Sequence, residues 1–126
     1  MNTKPPALMK NTYEPRLFVT ERVSSDLQDV ETQRYANDLY IKANNLVVTR
    51  VFSENVSGRK VPISERLLGE IKGLCQRGDS ILGYDLSRFA RNQREWLRFV
   101  WWAQDNGVVL IVADKGSKDG FGHDNL

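Results

Sequence analysis

The sequence predicts an α/β fold: a mostly parallel sheet of four or more strands with helices on both faces. Three observations predict it. Short apolar runs rich in β-branched residues alternate with longer stretches of helical spacing. Glycine, asparagine or serine stands at most of the junctions. The order reads β-α-β-α-β-α-β with short connections, which favours parallel pairing through helical crossovers.

Each element has its own signal. Pro5, Pro6 and Pro15 among polar residues mark residues 1–15 as a loose N-terminal arm. Leu17, Phe18 and Val19 open a strand that runs to about Val23, and Ser24-Ser25-Asp26 ends it with turn and capping chemistry. A helix is expected from about Val30 to Asn44, with Val30, Tyr35, Leu39 and Ala43 near helical spacing. Leu46 to Phe52 is the second expected strand. A basic loop around Ser57-Gly58-Arg59-Lys60 follows, and Ser64 is placed to cap the next helix. There Leu67, Leu68, Ile71, Leu74 and Cys75 form an apolar stripe, with Gly78 as the stop. Ser80 to Tyr84 is the third strand.

A loop from Asp85 leads to a helix capped near Asn92 and stopped by Gly107. Its segment Trp96 to Ala103 has one polar residue, Arg98, so it needs more than one cover. The sheet is one; a partner subunit or a second core layer is the other. Val108 to Ala113 is the fourth strand, and Asp114 to Leu126 a polar, Gly-rich tail. The packed domain is therefore expected over 16–113.

Composition narrows the function. With 40% hydrophobic and 27% charged residues, the chain is neither disordered nor fibrous. A net charge of +2 does not by itself mark a nucleic-acid binder. Cys75 is the one cysteine and His123 the one histidine. That excludes an internal disulfide and a multi-cysteine zinc site, and disfavours a histidine triad. No cofactor is expected. The longest aliphatic run, Val108 to Ala113, is too short to span a membrane, and no secretory signal opens the chain, so a cytoplasmic location is expected. Neither a G-x-x-x-x-G-K-[ST] loop nor G-x-S-x-G is present, which argues against nucleotide hydrolysis and an α/β-hydrolase.

In parallel sheets functional groups gather at the carboxyl ends of strands. The first strand ends in Arg22-Val23-Ser24-Ser25, where a serine is either a nucleophile beside an anion site or a helix cap. The third leads to Ser87-Arg88-Phe89-Ala90-Arg91-Asn92, followed by Arg94 and Arg98. The acids, Asp26, Asp29 and Glu31 among them, lie elsewhere in the sequence. Serine with several arginines suits phosphoryl chemistry driven by charge stabilisation.

Together these motifs resemble the catalytic domain of serine recombinases, the resolvase/invertase family. Arg22-Val23-Ser24-Ser25 is similar to its R-V-S-[ST] motif, and Gln28 and Gln33 to the glutamines that follow. Phe52-Ser53-Glu54-Asn55-Val56-Ser57-Gly58 resembles F-x-[DE]-x-x-S-G, and Arg77-Gly78-Asp79 the G-D before the third strand. Leu86-Ser87-Arg88-Phe89-Ala90-Arg91-Asn92 is similar to L-[DS]-R-[LF]-x-R-[NDS], in the S-R-F-A-R-N form of large serine recombinases.

The resemblance, over about Leu17 to Ala113, implies a resolvase-like fold and a mechanism. Ser24 would attack a DNA phosphodiester and form a 5′-phosphoserine linkage, without metal or ATP. Arg22, Arg66, Arg88 and Arg91 would neutralise the phosphate, and Gln33 would position the site. Arg22, Arg59, Lys60, Arg88, Arg91 and Arg94 would contact DNA, in a homodimer or tetramer. Glu21, unusual beside Arg22, should point to the opposite face of its strand. Family members continue into a long helix and a DNA-binding domain, which do not fit into Asp114 to Leu126. The chain alone is thus expected to fall short of full recombination. The alternatives are a non-catalytic module that pairs with full-length recombinases through Trp101 and Trp102, and a small-molecule-binding α/β domain. The last would leave Ser24, Arg22, Arg88 and Arg91 scattered.

Overall fold

A computed structural model describes residues 13–55 and 65–115. The first strand, β1 (Leu17–Val23), leads to α1 (Leu27–Ala43) and then β2 (Arg50–Asn55). Next come α2 (Glu65–Leu74), β3 (Ser80–Gly83), a short 3-10 turn (Leu86–Arg88), α3 (Gln93–Asn106) and β4 (Val109–Val112). Among the described residues the four strands form one sheet in the order β2-β1-β3-β4, and every pair is parallel.

Alternation along the strands divides the core into two layers. Phe18, Phe52, Ile81, Leu110 and Val112 pack with Leu67 and Ile71 of α2 and with Trp96, Phe99, Val100 and Ala103 of α3. On the other face Leu17, Val19, Leu82 and Ile111 pack with Tyr40 of α1. Helices thus cover both faces, as expected for central parallel strands.

Three expectations shift. The second strand begins at Arg50, not Leu46. Leu46 and Val48 still pack against the α1-side core, so their apolar character reflects burial on the approach to the strand. In α1 the buried positions are Val30, Gln33, Asn37 and Tyr40, whereas Tyr35 and Leu39 face solvent. Two polar residues belong to the inner face, Gln33 because its amide bonds the buried Arg22 backbone and Arg88, which apolar spacing cannot reveal. The second helix ends at Leu74, ahead of Gly78. The Gln76 N–H donates to the Asp79 carboxylate at 2.7 Å, which draws the chain out of the helix. Gly78 instead takes a positive φ of 100° in the turn before β3. The proposed Ser64 cap and His123 lie outside the described residues, as do residues 1–12 and 116–126.

The ends of α3 match expectation. Asn92 Oδ1 accepts the Glu95 N–H at 2.9 Å, and Gly107 closes the helix in the left-handed conformation. The apolar segment of α3 faces the sheet through Trp96, Phe99 and Val100. Trp102 stacks on Phe99 at 5.6 Å, and the Lys72 ammonium of α2 sits 5.2 Å from the Phe99 ring. Trp101 stays 61% exposed.

Asp79 ties the amino end of the sheet together. It is fully buried, and it accepts from Tyr13 Oη at 2.7 Å, from the Arg16 N–H at 2.9 Å and from Arg16 Nη2 at 2.9 Å. Tyr13 and Arg16 are therefore tied to the turn before β3. Burial alone would raise the Asp79 pKa, but the bonds from Tyr13, Arg16 and Gln76 outweigh it and hold the carboxyl below the usual range. A depressed folded-state pKa stabilises the fold above the unfolded-state value, and that contribution is lost as pH falls. Denaturant midpoints measured from neutral pH into the acid range should therefore fall with acid, and less steeply in Asp79→Asn. Equal acid slopes would contradict this role.

Candidate functional site

β1 runs out to β2 on one side, and β3 returns on the other. The crevice between their carboxyl ends is thus the switch point where ligands bind in such sheets. Arg22 and Ser24 stand at the end of β1, and Tyr84, Asp85 and Arg88 follow β3.

Both arginines are buried: Arg22 is 3% exposed and Arg88 2%. Gln33, reaching in from α1, links them. Its Oε1 accepts the Arg22 N–H at 3.1 Å and Arg88 Nε at 2.9 Å. Its Nε2 donates to the Arg22 carbonyl at 2.8 Å. A primary amide can do both at once, and no aliphatic side chain can.

Two carboxylates balance the cations. Arg22 Nη2 donates to Asp29 Oδ2 at 3.2 Å, and Arg88 Nη2 lies 3.7 Å from Asp29 Oδ1. Arg88 Nη1 donates to Asp85 at 3.3 Å, and its guanidinium lies 5.5 Å from the Tyr84 ring centre. Burial lowers the Arg88 pKa, Asp85 opposes that, Arg22 adds to it, and Asp29 opposes it. An arginine still carries its charge there. Arg22 Nε and Nη1 are buried with no partner among the described residues. The acids are therefore not segregated from the arginines, as their sequence positions suggested. Asp29, seven residues from Arg22, is brought back by the first turn of α1.

Ser24 is half-buried, and its Oγ accepts the Asp26 N–H at 3.2 Å. The cap of α1 is Asp26, whose side chain accepts from the Asp29 N–H at 3.1 Å. The bland role for Ser24 thus falls to Asp26, and the Ser24 O–H proton takes no part in capping. Glu21 does point away from Arg22. It pairs with Arg34 at 2.9 Å and accepts from Ser53 Oγ at 2.6 Å. Arg34 holds its carboxyl below the ordinary range, against the opposing effect of burial.

The other predicted positions stand apart from this cluster. Arg91 is exposed and pairs with Glu95 at 2.8 Å. Arg66, on the first turn of α2, and Arg94, on the first turn of α3, are exposed and outside the hydrogen-bonded group. Arg59 and Lys60 lie outside the described residues. Among the described residues no three His, Cys, Asp or Glu side chains come together to hold a metal.

Packing fixes the turn that carries Arg88. The next residue, Phe89, seats its ring against Gly83, where a Cβ would lie 2.5 Å from Phe89 Cζ. The same ring meets Phe99 at 5.4 Å and Trp96 at 5.9 Å. The sequence gives no site role to Gly83, Asp85 or Tyr84, and it sets Asp29 apart from the arginines that it meets in the fold. A glycine at the end of a strand, shortly before the Arg88-Phe89 turn, is the sequence signal for Gly83.

The family model described as "Resolvase, N terminal domain" matches residues 18–125. The chain belongs to the resolvase family. A Pseudomonas putida protein named "Resolvase/recombinase" is 31% identical over 101 residues, covering 80% of this chain and 52% of that protein. This resolvase-family chain thus spans about half the length of the curated relative it matches. The crystal structure of a resolvase family site-specific recombinase from Streptococcus pneumoniae is similar at 26% identity, with a TM-score of 0.61. That match covers 84% of this chain and 78% of the other. The N-terminal catalytic domain of TP901-1 integrase shares the fold, with a TM-score of 0.59 at 19% identity, over 79% of this chain and 78% of that one.

Gln33→Leu tests the link between the arginines. It leaves the Arg22 N–H and carbonyl and Arg88 Nε without their partner in a buried site. The expected cost is about 3 kcal/mol in urea denaturation. A loss below about 1 kcal/mol, the size of an ordinary neutral hydrogen bond, would show that the cluster does not depend on Gln33.

Proposed function

We propose that this resolvase-family domain cleaves and rejoins DNA through Ser24. One observation carries the reading. Two buried arginines meet at the strand ends where Ser24 stands: Gln33 joins the Arg22 backbone to the Arg88 guanidinium, and Asp29 faces both guanidinium groups. A phosphodiester that engages both would meet positive charge fixed by the fold, which is how such sites stabilise the charge of a phosphoryl transition state. Bidentate geometry suits arginine to non-bridging phosphate oxygens.

In the forward step the Ser24 Oγ–P bond forms and the P–O3′ bond breaks. Oγ loses its proton, and the leaving 3′ oxygen gains one. The phosphoserine link keeps the ester, so rejoining needs no energy source: the 3′ hydroxyl attacks phosphorus and Oγ leaves. Arg22 and Arg88 neutralise the phosphate from within the fold. Arg66 and Arg91 add to that neutralisation once DNA is bound, and Arg59, Lys60 and Arg94 contact the DNA and add salt-sensitive affinity without sequence information. DNA and further copies of the chain are the implied partners. Among the described residues no helix is long and apolar enough to cross a membrane.

A half-site DNA with a nick near the cleavage point, which traps the cleaved state, tests this. The wild-type domain should form a covalent adduct on denaturing gels. Ser24→Ala should form none, and Arg88→Ala should slow adduct formation by about 10²-fold or more. An adduct that persists in Ser24→Ala would contradict the assignment. No adduct with wild-type protein that binds the half-site would favour the non-catalytic pairing module.

A further inference from the structure

The charge balance of the buried cluster leads beyond the reaction itself. Arg22 and Arg88 bring two positive charges, and Asp29 and Asp85 bring two negative ones. Asp85 Oδ1 faces Arg88 Nη1 at 3.3 Å. Asp29 serves both cations, with Oδ2 toward Arg22 Nη2 at 3.2 Å and Oδ1 toward Arg88 Nη2 at 3.7 Å. Gln33 Nε2 also donates to Asp29 Oδ2, at 3.3 Å.

Two oxygens on one anionic centre, each facing a different guanidinium, is the arrangement a phosphodiester's non-bridging oxygens would adopt between the same arginines. The Asp29 side chain is 26% exposed, whereas Arg22 Nε and Nη1 are buried with no partner among the described residues. Asp29 is thus the negative charge at the mouth of the pair, and it sits between the cations and an incoming anion.

We propose that Asp29 is an internal stand-in for the DNA phosphate. It neutralises Arg22 and Arg88 in the DNA-free protein, and a phosphate must displace it to engage both. Asp29 is a positioning residue that sets the affinity of the pair for phosphate; it forms no bond to the reacting atoms. The proposal rests on the phosphate-binding reading of the cluster but does not need Ser24 to act.

A purely structural carboxylate and a competing one differ in sign. Loss of the first would weaken phosphate binding through disorder of the arginines. Loss of the second leaves the cluster with one net positive charge and a free face. Inorganic phosphate is the probe, titrated by calorimetry and by the rise in melting temperature, at constant ionic strength.

Asp29→Asn keeps the shape and the Gln33 contact region. It should bind phosphate about tenfold more tightly than wild type, or better. It should also melt lower without phosphate and regain stability with it. Asp29→Ser, small and neutral, should behave in the same direction. Phosphate binding by the arginine pair needs no attack by Ser24, so a failed adduct assay leaves this result standing. Equal or weaker phosphate binding in both folded Asp29 variants would overturn the proposal.

Discussion

Burying two guanidinium groups side by side costs desolvation and mutual repulsion, and a fold tolerates this only where hydrogen bonds and counter-charges meet them. Gln33 and Asp29 supply those here. Gln33 ties the backbone of Arg22 to the side chain of Arg88, and Asp29 balances both. The fold is arranged so that this meeting occurs. α1 must cross β1 at one angle to bring Gln33 to the strand end, and the turn after β3 must present Arg88 from the other side.

The surrounding structure enforces those conditions at a distance. Asp79 fastens the start of β1 to the loop before β3, so the two central strands keep their register. Phe89 packs on Gly83 and on the aromatic residues of α3, which fixes the turn immediately after Arg88. Glu21 is diverted to Arg34 and Ser53, so the charge adjacent to Arg22 in sequence does not reach the arginine cluster. Hydrophobic packing thus sets positions, and polar networks hold each end of the sheet.

Much of this is legible in the sequence where the signal is local. The order of elements, Asn92 as a cap and Gly107 as a stop follow from residue types whose backbone preferences act within one turn. Strand alternation places Glu21 correctly for the same reason. The start of β2 was not legible, because Leu46 and Val48 are buried without pairing in the sheet, and composition reports burial better than pairing. The inner face of α1 was misread because Gln33 and Asn37 are buried polar residues. Of the site, Arg22, Ser24, Gln33 and Arg88 were found by motif resemblance. Asp29 and Asp85 were not, since a carboxylate's partner depends on how a helix and a turn meet in space. The grouping of Arg66 and Arg91 with the buried pair did not follow either: a motif lists residues without saying which of them the protein itself holds together.

The central claim is that Arg22 and Arg88 form one buried, hydrogen-bonded unit. Nitrogen-15 NMR of the arginine Nε–H groups tests it most directly, with Arg22→Lys and Arg88→Lys used for assignment. The Arg88 Nε–H, bonded to Gln33, and the Arg22 Nε–H, closed to solvent, should exchange with water far more slowly than that of exposed Arg94, and half-site DNA should shift both together. Exchange as fast as that of Arg94, or shifts that titrate independently, would contradict the account.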